Sequence, residues 1–226
     1  MTDRPILFSA PMVLSLLAGR KTQTRRVCAW ANNPNSLALT YIVACDEPGW
    51  FGDEEGEVQF HAGYAIGDRM WVRESYYQQG HWWEDATDLT ATGKPKWKFT
   101  PYNHEITFDA PKKFLKARSR TNPAEIYWYK RLGRFMPRRY SRLTLIVTDV
   151  RVERLQDCSE ADAIAEGIEQ HGRFFGLPDT DWDDAELTAV KAYHRLWDSI
   201  NGEGAWEANP WVVAVSFEVR KGNIDG

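Results

Sequence analysis

Ser141-Arg142-Leu143-Thr144-Leu145-Ile146-Val147-Thr148-Asp149-Val150-Arg151-Val152-Glu153-Arg154-Leu155 sets Leu143, Leu145, Val147, Val150 and Val152 in the apolar order of one long strand, with a bend expected at Thr148-Asp149. A helix follows it. Ser159 opens that helix as N-cap with Asp162 three residues on, an acidic capping box, and Glu166 stands near its end before Gly167. A second helix is expected across residues 185 to 200, where Leu187, Val190, Tyr193, Leu196 and Trp197 recur at helical spacing and Asn201-Gly202 is the stop. Trp211-Val212-Val213-Ala214-Val215-Ser216-Phe217-Glu218-Val219 reads as a closing strand.

Working back from the long strand, Gly67-Asp68-Arg69-Met70-Trp71-Val72-Arg73-Glu74-Ser75-Tyr76 is a turn and then a strand. Met70, Val72 and Glu74 share one of its faces, and Trp71, Arg73 and Ser75 the other. Near the start, Pro11 can open a short apolar helix over 11 to 18, and Gly19 ends it. Short strands with few helices predict an α+β fold, built as a small mixed β-barrel with flanking helices rather than as a doubly wound sheet. Residues 28 to 66 and 78 to 138 look irregular and are taken as long insertions in a single domain spanning 1 to 226.

A chain of 226 residues, 43% hydrophobic and 27% charged, can bury a proper core, and this composition argues against disorder. Cys28, Cys45 and Cys158 are odd in number and without metal-ligand spacing, so neither a disulfide framework nor a zinc site is suggested. No apolar run approaches a membrane span and no signal sequence opens the chain, so the expectation is a soluble, cytoplasmic protein with no membrane partner. The formal net charge of -4 hides a segregation. Residues 112 to 142 hold eleven lysines and arginines against one acid, Glu125, while acidic stretches at 46 to 57 and 179 to 186 offset the total. Tyr127, Trp128, Tyr129, Phe135 and Tyr140 interleave with the basic residues. Two readings fit: a single-stranded nucleic-acid surface using Arg134, Arg138, Arg139 and Tyr140, or a solvated basic loop.

Gly19-Arg20-Lys21-Thr22-Gln23-Thr24-Arg25-Arg26 concentrates a lysine, two hydroxyls and three arginines directly after the first helix. Lys21 and Thr24 come to one side only if the chain turns there, because an extended segment points them to opposite faces. A threonine activated by a lysine base, a phosphate clamp and a basic turn capping the helix all use that composition. His61, His81, His104, His171 and His194 show no ligand spacing, and no glycine-rich phosphate loop occurs, so neither a metal nor a cofactor is expected.

Taken together, the Gly-x-Lys-x-x-Thr-x-Arg segment, the Gly-Asp-x-x-Trp-Val-Arg-Glu strand, the long strand, the Ala-Glu-Gly helix and the terminal strand resemble the ASCH domain of the PUA-like β-barrel superfamily. The resemblance covers residues 5 to 26, 66 to 77 and 141 to 220, and the order is similar to that of longer ASCH proteins carried by phages and prophages. Thr24 stands where that family often has an acid. In this it is similar to the small bacterial ASCH enzymes that deacetylate N4-acetylcytidine with a lysine, a threonine and a glutamate. The resemblance implies Lys21 as base, Thr24 as nucleophile and Glu166 as the glutamate, with Glu74 as its rival, all at one pocket surface in the barrel wall. Arg26, Trp71 and Arg73 are the implied substrate contacts. The expected function is then an amidohydrolase acting on an N4-acetylcytidine-type nucleoside or RNA. A non-catalytic module that reads a base in RNA or single-stranded nucleic acid is the alternative, and a nuclease is less favoured because no metal-binding carboxylate cluster is evident.

Overall fold

A computed structural model describes residues 1 to 32, 39 to 177 and 184 to 226. In chain order its elements are β1 (Asp3–Leu7), α1 (Ala10–Leu17), β2 (Gln23–Val27), β3 (Val43–Ala44), β4 (Trp50–Gly52), β5 (Gln59–His61), β6 (Arg69–Arg73), β7 (Tyr76–Leu89) and β8 (Pro95–Thr107). There follow β9 (Tyr127–Arg131), β10 (Leu143–Arg154), α2 (Glu160–Ala165), β11 (Glu169–His171), β12 (Phe174–Gly176), α3 (Ala189–Asn201) and β13 (Trp211–Lys221). Two compact units result: Met1–Ile6, Ala10–Val72 and Arg142–Gly226 form the first, Leu7–Ser9 and Arg73–Ser141 the second.

The first unit is organised by a five-stranded sheet in the order β1-β6-β10-β13-β2. The α+β class holds, but among the described residues the sheet closes into no barrel, and β2 is left at its edge. β10 pairs antiparallel with β13 along its whole length, and the expected bend is a bulge: Val147 faces Phe217 and Asp149 faces Ser216, so Thr148 has no opposite residue. The extra residue changes the parity of the strand. Leu143, Leu145 and Val147 before it, and Val150 and Val152 after it, therefore share the face of Val213, Val215 and Phe217. Val150 is half-buried, and burying each of the other large side chains stabilises the fold by about 1.5–3 kcal/mol. The same shift sends Arg151 and Glu153 to the opposite face, with Val212 and Ala214.

α2 begins where its capping box predicts, with the Ser159 hydroxyl accepting from the Asp162 N–H. α3 starts later than its apolar spacing suggests. Glu186 is held extended by paired backbone hydrogen bonds with Phe175, and Thr188 caps the helix at Lys191. Glu160 of α2 accepts the Ala189 and Val190 N–H groups at 2.7 and 3.3 Å, a second cap from a neighbouring helix. Behind these helices Leu155, Ala163, Ile168, Tyr193, Trp197, Trp206 and Val212 form one apolar cluster. The insertion at 28 to 66 contributes the small sheet β3-β4-β5, with Trp30 stacked on Phe60. Of the acidic stretch 179 to 186, residues 179 to 183 lie outside the described residues.

The insertion at 78 to 138 is not irregular. It carries the three-stranded antiparallel sheet β8-β7-β9, whose first two strands run 13 and 14 residues. One face of that sheet packs on itself: Trp82, Phe99 and Tyr129 meet edge to face, and the Arg131 guanidinium lies 3.9 Å from the Phe99 ring centre.

Candidate active site in the first unit

The end of α1 places Lys21. Gly19 takes the left-handed conformation at φ +73°, and the turn lets Arg20 and Lys21 donate their N–H groups to Ser15 O at 2.9 and 3.3 Å. The next residue is held from both sides, since the Thr22 N–H donates to Ala165 O at 2.9 Å and Thr22 O accepts from the Phe217 N–H at 2.8 Å. Lys21 is thereby aimed at the last turn of α2. Its side chain has no exposed surface, and its Nζ donates to Glu166 O at 2.8 Å and to Glu166 Oε2 at 2.7 Å. The ammonium thus meets the free carbonyl at a helix C-terminus and a carboxylate together. Burial pulls the lysine below its ordinary pKa of 10.5, and the attraction of Glu166 opposes that without cancelling it.

Around this pair lies a charge network, running from the buried Arg25 to the part-exposed Arg151, that the sequence did not disclose. Arg25 donates through Nε and Nη2 to Glu153 Oε1 at 3.1 and 2.6 Å and through Nη1 to Gln23 Oε1 at 2.6 Å. It also lies 3.3 Å from Asp162 Oδ2 and 3.6 Å from Glu166 Oε1. Arg151 reaches Asp162 and Glu153 from the bulged strand at 2.8 and 3.4 Å. Burial would raise the Asp162 carboxyl, but hydrogen bonds from Ser159 and Arg151 hold it below the usual carboxylate range. Nearby, burial pushes the Cys158 thiol up to about 12, which leaves it a protonated core residue rather than a nucleophile. Burial and the charge of Glu166 raise the Tyr193 hydroxyl well above 10.0, so it is a hydrogen-bond donor at neutral pH.

A cleft with about 430 Å³ of empty space, its solvent-open mouth included, lies along the free edge of β2. Thr24, Arg25, Arg26, Glu166 and Tyr193 line it, with Met12 of α1 at one side. Alternation puts Thr24 and Arg26 on one face of β2 and Gln23 and Arg25 on the other, and an edge strand lets both sets border one cleft. Glu166 Oε1 lies in this polar wall 3.6 Å from Arg25 Nη1, and the Tyr193 hydroxyl also faces the carboxylate. Among the described residues no group of three His, Cys, Asp or Glu side chains is placed to hold a metal ion, and no helix is long and apolar enough to cross a membrane.

Of the two glutamates, Glu166 is the one that holds Lys21. Glu74 belongs to the second unit, where it is buried and its N–H donates to Met136 Sδ at 3.3 Å. Lys21 is not at a pocket surface, as its position after the helix suggested, but wholly enclosed. Trp71 is a core side chain, 6% exposed and opposite Thr144, so it presents no free ring face to a substrate. Arg73 belongs to the second unit and donates to Arg134 O at 3.3 Å. Arg134, Arg138, Arg139 and Tyr140 stand on two single 3-10 turns of that unit, with the Arg134 and Arg139 guanidiniums over the Phe135 and Tyr140 rings. Tyr129, one of the aromatics that interleave with the basic residues, is 1% exposed and fills the core.

Set against protein-family models, curated proteins and solved structures, the chain matches none of them.

One backbone position holds the arrangement together. Gly167 follows α2 at φ +103°, and a Cβ there would come within 3.3 Å of Ser15 and 3.5 Å of Lys21 Cβ. Gly167→Ala is expected to destabilise the chain by about 1–3 kcal/mol through backbone strain, and to displace Glu166 from Lys21. Urea unfolding measures the first effect. An unchanged midpoint would show that the turn tolerates a side chain.

Proposed function

We propose that the chain is an amidohydrolase of the ASCH type, its sheet an opened relative of the PUA-like barrel, and that it removes the acyl group from N4-acylated cytidine as a nucleoside or within RNA. The observation that carries this reading is the buried Lys21–Glu166 pair beside a cleft that Thr24 lines. Thr24 Oγ adds to the acyl carbonyl carbon, and its proton passes to Lys21 Nζ. A neutral lysine has two N–H bonds and a lone pair. The bonds suit the two donations to Glu166, and the lone pair takes the proton. Arg26, on the face of Thr24, supplies a donor for the oxyanion, while the Tyr193 hydroxyl donates to Glu166. Breaking the carbon–N4 bond then releases cytidine, whose amine receives the proton from Lys21. Water hydrolyses the threonine ester and frees the carboxylate.

The test is the pH dependence of cytidine release from N4-acetylcytidine. Because the neutral lysine is the active form, kcat/KM should rise with pH through an ionisation below the ordinary 10.5. A rate that falls as pH rises through the neutral and alkaline range would contradict a lysine base.

A further inference from the structure

The opposite signs of the two units single out the second. It holds fourteen lysines and arginines against seven acids, a formal charge of +7, while the first holds fourteen against twenty-five, or -11. Within the second unit the two faces of the β8-β7-β9 sheet differ. The face of Trp82, Phe99 and Tyr129 is consumed in its own core. On the other, register sets Trp83 opposite Lys98 and Gln79 opposite Trp128, while Tyr77, opposite Lys130, is buried against the Phe114 ring. Leu115 bridges Tyr129 in parallel, so Lys116 falls on the side of Trp128 and Lys130. Trp83 is 43% exposed, with its indole N–H donated to Thr100 and its ring held in place.

The charges on this face divide into two kinds. Lys98 is committed to Asp85 and Asp88, and Lys96 to Asp88. Lys116 and Lys130 are exposed, and among the described residues neither forms an ion pair; the same holds for Lys112, Lys113 and Arg120 on the neighbouring segment. Glu125, the one acid of that segment, is engaged by Asn122 and Tyr127. Lys130 and Lys116 lie six residues of strand, about 20 Å, along the sheet from the fixed, exposed indole of Trp83, a spacing that fits an extended polymer with regularly spaced negative charge and flat apolar groups to stack.

We propose that this sheet face binds single-stranded nucleic acid, with bases stacked on Trp83 and Trp128 and phosphates held by Lys116 and Lys130. The proposal is independent of the hydrolase reading, because oligonucleotide affinity and cytidine release are separate readouts. The full chain is titrated against labelled oligouridylate and oligodeoxythymidylate by fluorescence anisotropy at several salt concentrations. Binding should weaken with salt by a log–log slope of about -0.7 for each phosphate neutralised. Lys116→Glu with Lys130→Glu should weaken it by about tenfold or more and flatten that slope. Trp83→Ala should weaken it by about fivefold or more at unchanged slope, and Trp83→Tyr, which keeps a ring, should restore most of the affinity. Binding of either polymer with this pattern supports the proposal. It is overturned if neither polymer binds at low salt, if the variants bind as the wild type does, or if heparin binds equally well with Trp83→Ala without effect, which would make the surface a general polyanion site.

Discussion

Lys21→Ala is expected to lower the unfolding free energy by about 3–5 kcal/mol, the cost of leaving one member of a buried ion pair without its partner. The loss has two parts in this chain. Glu166 would keep its carboxylate with only the 3.6 Å approach of Arg25 and the Tyr193 hydroxyl for compensation, and the final carbonyl of α2 would lose the ammonium that caps it. The position of Lys21 just beyond a short helix suggests a surface residue whose truncation spares the fold; its complete burial reverses that expectation. A compensating variant separates charge from volume. Lys21→Met combined with Glu166→Leu should recover most of the stability, since an apolar pair of similar size avoids the desolvation that the ion pair bears. Urea unfolding of the wild type and both variants provides the comparison. A cost below about 1 kcal/mol for Lys21→Ala would show that the pair does not hold the end of α2.

Thr24→Val should abolish deacylation, with a loss on the order of 10⁴-fold or more in kcat, as expected when a nucleophile acting with its base is removed. The change keeps the branched shape of a buried strand residue opposite Val215, so the fold should persist with a stability change of about 1 kcal/mol. Thr24→Ser restores a hydroxyl and should recover measurable turnover. Equal rates for Thr24→Val and the wild type, measured on folded proteins, would remove Thr24 from the chemistry.

Much of the first unit was legible because its signals are local. The capping box at Ser159 and Asp162 fixed the start of α2, and the interrupted alternation at Thr148-Asp149 marked the bulge in β10. The charge network was not legible, although its members were in view. Arg25, Glu153, Asp162 and Glu166 meet only through the register of β13 with β2 and β10 and through the docking of α2, and no local pattern encodes that register. The bulge is the one sequence signal that bears on it, since without the parity change Arg151 and Glu153 would face the other way. The long strands of the second unit escaped notice for a different reason. β7 and β8 place charged and polar residues between their aromatics, and Pro95 and Pro101 interrupt the apolar alternation by which strands are recognised. The sequence placed Glu166 ahead of its rival Glu74 without excluding Glu74, whose strand could also border the pocket; contact with Lys21 favours Glu166.

Incubating the purified chain with N4-acetylcytidine and separating the products by chromatography decides whether it deacylates the nucleoside. Cytidine and acetate should appear in equal amounts with the wild type, and neither with folded Thr24→Val protein. Unchanged N4-acetylcytidine after incubation with the folded wild-type chain would contradict the amidohydrolase reading.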